Sequence, residues 1–516
     1  MGGSVMRRWS ALLLVSAMVM GLMGAASAQG GRRGGTLRAA LDGDPPTMDP
    51  HRSGSVVDRH VYQSLYDKLV DTDQNLRIVP MLATSWMVSP DGKTVTFKLR
   101  QDVKFHDGTP FNADAVKYNF ERMQDPKFPS VRRSEIGPIQ KVTAVDPYTV
   151  QIALERPYSP LLYVLTDRAG MMISPAGAQK EGLNFSLHPV GTGPYRFVEQ
   201  VVNDHITLER TPEHWQKGQA LLDRIMFRTL VDDNARVANV KSGDVEIISR
   251  VPLAQVKQLA QEAAQPGARI VLMQFGAFRW DGIALNMTKP PFDNKLLRQA
   301  FNATIDREAI ANAVLQGAAY PAYSFFPNGT PAYDPAWKLP PRNVKLAKER
   351  LQAAGQPNGF SFTMITTAAQ QDQSVAQAIQ AMAADAGIQV KIQIEGTTFF
   401  DTVSHLQHQA ALLFWSGRPD PDFNIYPFVT QSGMGGLNFT GYADSKVQSL
   451  LDAARLLNDM TQRRRAYADV TKILADDVPY VLLFYPREYK LLSPRVHGFT
   501  LVPDGMLRLR TVWLSP

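Results

Sequence analysis

The sequence predicts an α/β protein of more than one domain. Three observations lead to this prediction. Paired strand-forming runs flank turn residues in the first half, helix-then-strand units repeat in the second half, and 516 residues are too many for one hydrophobic core. Antiparallel hairpins are therefore expected in the first half, and a partly parallel sheet is expected in the second.

Two β-hairpins are predicted in the first half. Asp91-Gly92 separates two runs of strand-forming residues, and apolar and polar residues alternate over 95–99, so this strand has one buried face. A second turn is predicted at Asp146-Pro147. Between the hairpins, Asn112 is expected to cap a helix over residues 113–123.

Helix–strand units indicate a parallel arrangement in the second half. A helix is predicted over 375–386, beginning at Ser374, and a strand with period-two alternation follows over 388–394. A helix over 346–354 and a strand over 360–365 repeat this order. Because parallel strands need a crossover connection, these units predict βαβ topology.

The N-terminus has the pattern of a cleavable secretory signal over residues 1–28. Arg7 and Arg8 precede a short apolar run over 11–23, and Ala26-Ser27-Ala28 follows it. The sequence has no cysteine, which excludes disulfide staples and the lipid-anchored form of an exported protein. The expected location is the periplasm, without a membrane anchor.

Charge and motif content argue against several function classes. The formal net charge of +7 is interspersed along the chain, whereas a nucleic-acid binder shows clustered basic residues among aromatics. The sequence contains no G-x-S-x-G elbow and no phosphate-binding loop. An exported hydrolase would need a nucleophile–base pair, and none is evident.

Two histidine groupings could carry chemistry. His106 and Asp107 are adjacent, so on a strand they would point to opposite faces, and a turn is the simpler interpretation. His405 and His408 would share one face of a helix, but a metal site needs three or four ligands and no third stands nearby. No metal and no cofactor is predicted.

Several ordered motifs carry a resemblance over nearly the whole mature chain. They are LATSWMVSPDGKTVTFKLRQDVKFHDGTPFNADAVKYNFERM at 82–123, GTGPYRF at 191–197, VKSGDVEII at 240–248 and FWSGRPDPDFNIYPF at 414–428. With these motifs the chain resembles the large periplasmic solute-binding proteins of peptide and nickel ABC importers, family 5 of the extracellular solute-binding proteins.

This resemblance implies a two-lobed fold of the periplasmic-binding-protein type (type II, cluster C), with an additional α+β domain in the N-terminal half. The expected division is a signal peptide at 1–28, lobe I at 29–80, 186–283 and 485–516, an additional domain at 81–185, and lobe II at 284–484.

The resemblance also implies a function without catalysis. The protein is expected to be a monomer that encloses a small-molecule or peptide ligand between its lobes and delivers it to the transmembrane subunits of an ABC permease. A nickel-chelate receptor of the same family is the alternative, and an exported hydrolase is a third interpretation.

The segment at 414–428 is expected to clamp the ligand. In family members that take peptides, an aspartate shortly after the Trp-x-Gly of this segment binds the α-ammonium group. Here Trp415-Ser416-Gly417 is followed by Arg418, whose planar guanidinium suits a carboxylate, phosphate or sulfonate. Trp415 is a candidate stacking wall or core residue.

Two roles remain open for Arg418. It could face a ligand with an anionic group, such as an acidic or modified peptide, a glutathione-like molecule or a chelate. It could instead pair with Asp420 or Asp422 and staple the loop. These two acids could bind a ligand amine or serve a structural role.

Two further loops contribute ligand-binding candidates. The loop at 45–54 follows the first strand and lines the cleft in the family, and a glycine-rich loop at 432–438 permits close approach of backbone to ligand. The candidates in these loops are Thr47, Asp49, His51, Gly435 and Asn438.

Overall fold

The computed structural model describes residues 33–276, 278–396 and 398–516. The predicted signal peptide, residues 1–28, lies outside the described residues. Three main sheets organise the rest of the chain. None of the helices in the described ranges is both long enough and apolar enough to cross a membrane.

A seven-stranded mixed sheet forms the part that we call lobe I. The two neighbours of its central strand Thr36–Leu41 run parallel to it, and the outer strands pair antiparallel. In spatial order the strands are Val271–Phe275, Glu488–Leu492, Ile247–Ile248, Thr36–Leu41, Arg224–Thr229, His205–Arg210 and Tyr195–Val201.

A six-stranded mixed sheet forms lobe II. Trp280–Leu285 and Tyr480–Pro486 are buried at every position, because helices and loops cover both faces of the sheet. In spatial order the strands are Ala319–Pro321, Tyr480–Pro486, Trp280–Leu285, Ala410–Trp415, Ser361–Thr367 and Gln389–Glu395.

A four-stranded antiparallel sheet forms the additional domain and confirms both predicted hairpins. Its strands, in spatial order, are Ala83–Val88, Thr94–Leu99, Thr149–Leu154 and Ile139–Asp146. The predicted helix is Ala113–Gln124, and the Asn112 side chain accepts a hydrogen bond from the backbone N–H of Ala115. The cap therefore satisfies one of the N–H groups that every helix start leaves without a partner.

The βαβ prediction is confirmed in lobe II, with one correction. Ser361–Thr367 and Gln389–Glu395 pair in parallel. The helix between them is Gln370–Ala384, so the predicted start at Ser374 is wrong. Ser374 lies inside the helix and its hydroxyl donates to the Gln370 carbonyl at 3.0 Å, the back-bond that an internal serine makes.

The remaining helices cover the sheets and connect them. They are Val57–Leu65, Leu161–Val164, Pro175–Glu181, Asp233–Ser242, Val256–Ala263, Lys295–Ala303, Arg307–Ala309, Val344–Ala353, Phe399–Ser404, Asp422–Val429, Ser445–Arg455 and Met460–Asp477, with a π turn at Ile310–Val314 and short 3₁₀ turns at Arg168–Gly170, Gly182–Leu187, Leu253–Gln255 and Gln431–Gly433.

The chain passes between the lobes twice. It leaves the lobe I sheet after Val271–Phe275 and enters the lobe II sheet at Trp280–Leu285, and it returns at Arg487. The expected boundaries at 283/284 and 484/485 fall inside the strands Trp280–Leu285 and Tyr480–Pro486, so they would divide the lobe II sheet. We propose lobe boundaries within 276–279 and at 487.

Asn112→Ala should lower the free energy of unfolding of the additional domain by about 1 kcal/mol, because the cap hydrogen bond to Ala115 is lost. Urea denaturation followed by circular dichroism measures the change. Asn328→Ala, at an exposed turn position, is the matched control and should have little effect. An equal change in both variants would contradict a capping role.

Candidate functional site

Arg418 lies in the loop between the strand Ala410–Trp415 and the helix Asp422–Val429. Gly417 before it has a φ of 74°, and a Cβ at this position would lie 2.1 Å from the Cβ of Phe278, in the crossover between the lobes. Only glycine fits such a close approach. Asn424 holds the next residue, since its side chain accepts from Arg418 N at 2.8 Å and donates to Arg418 O at 2.9 Å.

The side chain of Arg418 reaches out of lobe II to Asp167. Its Nε lies 3.2 Å from Asp167 Oδ2, and its guanidinium lies 4.6 Å from the centre of the Trp415 ring. Trp415 also packs edge-on against Phe428 in the lobe II core. Trp415 is thus both a core residue and the wall on which Arg418 rests.

Asp167 binds a second arginine from lobe I. Arg59, on the helix Val57–Leu65, donates from Nε to Asp167 Oδ1 at 3.2 Å, and its Nη2 lies 3.2 Å from Oδ2. Asp167 itself follows the helix Leu161–Val164, which packs into the core of the additional domain. A single carboxylate therefore connects lobe I, the additional domain and lobe II.

Two more arginines complete a buried charged cluster beside this bridge. Arg168 Nη1 donates to the carbonyl of Ser53 at 3.0 Å, and Arg132 Nη2 donates to the same carbonyl at 2.8 Å. Asp58 accepts from the Ser53 hydroxyl, and its Oδ1 lies 4.0 Å from Arg168 Nη1. Ser53 belongs to the predicted cleft loop at 45–54, so this loop supplies the cluster with backbone and hydroxyl groups.

A second contact joins lobe II to the additional domain close to Arg418. Ser159 N donates to Arg455 O at 2.9 Å, and the guanidinium of Arg455 lies 5.5 Å from the Tyr158 ring centre. Phe423 packs against the core of the additional domain. The charged cluster is therefore enclosed at an interface between lobes.

The cluster is electrostatically under-compensated at Arg418. Burial lowers the pKa of Arg418 to about 9, with a further contribution from the charge of Arg59, and Asp167 only partly opposes this. Although burial raises it, the pKa of Asp167 is held well below its usual range by Arg59, Arg418 and Arg168. Positive charge is thus in excess around one shared carboxylate.

Asp420 and Asp422 are used inside lobe II. Asp420 accepts from Arg463 Nη1 at 2.8 Å, and Asp422 accepts from Arg455 Nε at 2.9 Å and from Nη2 at 2.8 Å. Both carboxylates are fully buried. The alternative in which Arg418 pairs with one of them is wrong, because each acid has a bidentate arginine partner from a neighbouring helix.

The three candidates of the 45–54 loop make contacts away from Arg418, and two of them, Asp49 and His51, hold the loop to the additional domain. Asp49 accepts from Arg122 Nη2 at 2.6 Å, and His51 Nδ1 lies 3.0 Å from Arg122 Nη1. Burial, with the charge of Arg122, lowers the pKa of His51 to about 4. Thr47 donates from its hydroxyl to Ser186 Oγ at 3.1 Å. None of these three side chains contacts Arg418 in the described part of the chain.

The two candidates of the glycine-rich loop also make local contacts. Asn438 donates to the carbonyls of Thr430 and Tyr442 at 2.9 and 2.8 Å, so it closes its own loop. Gly435 has a φ of 75° with open space where a Cβ would lie. The structure does not bring either residue to the charged cluster.

The histidine pair at 405 and 408 does not form a shared face. His405 is exposed at the end of the helix Phe399–Ser404, whereas His408 is buried, and burial lowers its pKa to about 4. Across residues 33–276, 278–396 and 398–516, no three His, Asp or Glu side chains are grouped to hold a metal ion.

Comparison with known proteins decides the family. The family model for bacterial extracellular solute-binding proteins, family 5 Middle, matches residues 77–436, which is more than half of the chain. The chain belongs to the family 5 extracellular solute-binding proteins.

Relatives and solved structures agree with this assignment. The glutathione-binding protein GsiB of Escherichia coli (strain K12) is 32% identical over 468 residues, which cover 89% of this chain and 90% of GsiB. The periplasmic binding protein DppA from Helicobacter pylori, in complex with the peptide STSA, has a TM-score of 0.86 and 28% identity, covering 94% of this chain and 99% of DppA.

A third similar protein was solved with a different solute. AgaA from A. tumefaciens R10, in complex with agropinic acid, has a TM-score of 0.84 and 28% identity, covering 93% of this chain and 99% of AgaA. The two-lobed fold expected from the motifs is thus confirmed, and this family 5 protein is the solute-binding component of an ABC importer.

Sequence reasoning identified Arg418 but missed its partners in this family 5 protein. Its partner is Asp167, and the other charged residues of the cluster are Asp58, Arg59, Arg132 and Arg168. One signal was available. Val57, Val61 and Leu65 form an apolar stripe at helical spacing, which predicts a helix packed on the core with charged residues at 58 and 59 beside the stripe.

Asp420→Ala should lower the free energy of unfolding of lobe II by about 3 to 5 kcal/mol, because it leaves the Arg463 guanidinium buried without its counter-ion. Chemical denaturation of the ligand-free protein measures the loss. The double variant Asp420→Leu/Arg463→Met should recover most of it, since both charges are then removed. No recovery in the double variant would contradict a purely structural ion pair.

Asp58→Asn should change the pH dependence of stability. Burial raises the pKa of Asp58 to about 6, against the lowering effect of the Arg168, Arg132 and Arg59 charges. The folded state therefore retains this proton when the unfolded chain has released it, and the group destabilises the fold as pH rises from about 4 to 7.

Denaturation at a series of pH values tests this prediction. The stability of the Asp58→Asn variant relative to wild type should increase by up to about 3 kcal/mol between pH 4 and pH 7, the equivalent of a shift of about two pKa units. A difference that does not depend on pH would show that folding leaves the pKa of Asp58 unchanged.

Proposed function

We propose that this protein captures a small peptide or peptide-like solute with an anionic group between lobes I and II. The observation that supports this proposal is the charge of the interface cluster. Four guanidiniums, those of Arg59, Arg132, Arg168 and Arg418, lie with three carboxylates, those of Asp58, Glu135 and Asp167.

Burial makes this imbalance energetically important. A charge that is removed from water must have a partner, and the cost of leaving it alone is several kcal/mol. The neighbouring Arg508 and Asp504 compensate each other at 2.6 Å, so they do not neutralise the excess. An anionic group of the solute provides an acceptor for these guanidiniums when the lobes close, which couples binding to closure.

Similar proteins support an acidic solute. GsiB is named for glutathione, and AgaA was solved with agropinic acid. DppA was solved with the peptide STSA. This chain is 32% identical to GsiB over 89% of its length, so a glutathione-like tripeptide is the first ligand to test.

The protein would work in the periplasm, together with an ABC permease. A signal peptide cleaved after Ala28 would send the protein to the periplasm as a monomer without a lipid anchor. There it would dock in its closed form on the transmembrane subunits of an ABC permease. Binding and release suffice for this role, and no catalytic step and no cofactor enters it.

Arg418→Ala should weaken glutathione binding by about 10- to 100-fold, because a charge-assisted hydrogen bond to a buried carboxylate contributes about 1.5 to 3 kcal/mol. Isothermal titration calorimetry of protein refolded free of endogenous ligand measures the dissociation constant. Arg465→Ala, which removes an exposed arginine of the helix Met460–Asp477, is the control and should bind as wild type does.

An affinity for glutathione that is unchanged in Arg418→Ala would contradict the proposed role of the cluster. Binding of neutral dipeptides by the wild-type protein, with no binding of any acidic peptide, would contradict the proposed solute class.

A further inference from the structure

The charged cluster contains buried carboxylate oxygens that accept no well-aligned hydrogen bond. Asp58 Oδ1 and Asp167 Oδ2 have no hydrogen-bond partner within the described part of the chain. Both side chains are almost completely buried, with exposures of 0% for Asp58 and 7% for Asp167. Asp167 Oδ2 lies 3.2 Å from Arg59 and from Arg418, and a carboxylate oxygen has room for a further donor.

The same cluster also contains buried N–H donors without a hydrogen-bond acceptor. Arg59 Nη1, Arg132 Nε and Arg168 Nε lack an acceptor among the residues that the structure describes. These side chains are 2 to 4% exposed. Buried polar groups without partners are rare in folded proteins, and each calls for an explanation such as a functional role or a bound group.

The combination of orphan donors and orphan acceptors restricts the solute more than the net charge does. A simple anion could satisfy the guanidiniums, but it would leave the two carboxylate oxygens unpaired and would face them with its own negative charge. A solute with an ammonium group next to a carboxylate satisfies both sets. This pair of groups is the free end of an α-amino acid.

We propose that the cluster binds the zwitterionic α-amino-acid end of the solute. The guanidiniums of Arg59, Arg168 and Arg418 bind its carboxylate, and the carboxylates of Asp58 and Asp167 bind its ammonium. This inference rests on the proposed function, because it refines the solute class at the same interface. The ammonium is thus recognised from lobe I and the additional domain, and not by the acids of the Arg418 loop, which pair with Arg455 and Arg463.

A simpler role for Asp167 makes the opposite prediction. If Asp167 only neutralises Arg59 and Arg418, then Asp167→Asn increases the positive charge of the cluster and strengthens the binding of every anionic solute. If Asp167 binds the ammonium, the same substitution weakens binding of a zwitterionic solute and spares one that lacks the ammonium. The sign of the change distinguishes the two roles.

Two matched tripeptides provide the test. Glutathione has a free α-amino-acid end on its γ-glutamyl residue, and glutaryl-cysteinylglycine is the same molecule with hydrogen in place of that ammonium. Calorimetry with the full-length mature protein gives the dissociation constants of both for wild type, Asp167→Asn and Asp469→Asn. The last variant changes an exposed aspartate that pairs only with Lys472 among the described residues, and it is the control.

The proposal predicts that wild type binds glutathione at least about tenfold more tightly than the glutaryl analogue. Asp167→Asn should weaken glutathione binding by about tenfold or more and leave binding of the analogue unchanged or stronger. If Asp167→Asn does not fold, Asp58→Asn should show the same pattern. The comparison of the two tripeptides on wild type does not depend on any variant.

Equal affinities of wild type for both tripeptides, or stronger glutathione binding by Asp167→Asn, would overturn the inference while leaving an anion-binding function intact. Binding of neither tripeptide, or binding of both that is insensitive to Arg418→Ala, would instead contradict the proposed function and the inference with it.

Discussion

The arrangement of the cleft depends on the carboxylate of Asp167, which is shared between Arg59 and Arg418. Charges removed from water are stable only with partners, so a carboxylate at the junction of three folded parts determines which surfaces can meet. Lobe II contacts lobe I and the additional domain through this bridge, and through the backbone hydrogen bond from Ser159 to Arg455. A solute that exchanges with this bridge acts directly on the contact that holds the lobes together.

Asp49, Asp420 and Asp422 differ from Asp167, because each has its own arginine partner and none is shared between lobes I and II. Asp420 and Asp422 bind arginines of the helices Met460–Asp477 and Ser445–Arg455, and Asp49 binds Arg122. These pairs, with Asn424 at the backbone of Arg418, hold the loops that line the interface. Arg418 is therefore presented on a fixed support, so less conformational entropy is lost when a solute binds.

The sequence predicted what is local and missed what is distant along the chain. The hairpins at Asp91-Gly92 and Asp146-Pro147, the cap at Asn112 and the parallel helix–strand units depend on neighbouring residues, and the structure contains them. Asp167, the partner of Arg418, comes from a distant segment of the chain. Periodicity does not show which residues of two lobes face each other. For the same reason the sequence did not show that Asp420 pairs with Arg463 and that Asp422 pairs with Arg455.

A crystal structure of the complex with glutathione would show whether the interface cluster receives the charged end of the solute. We expect a ligand carboxylate within about 3 Å of a guanidinium nitrogen of Arg418, with Asp167 next to the ligand ammonium. A complex in which Arg418 and Asp167 keep their mutual contact, with glutathione bound elsewhere or with no charged group near the cluster, would contradict it.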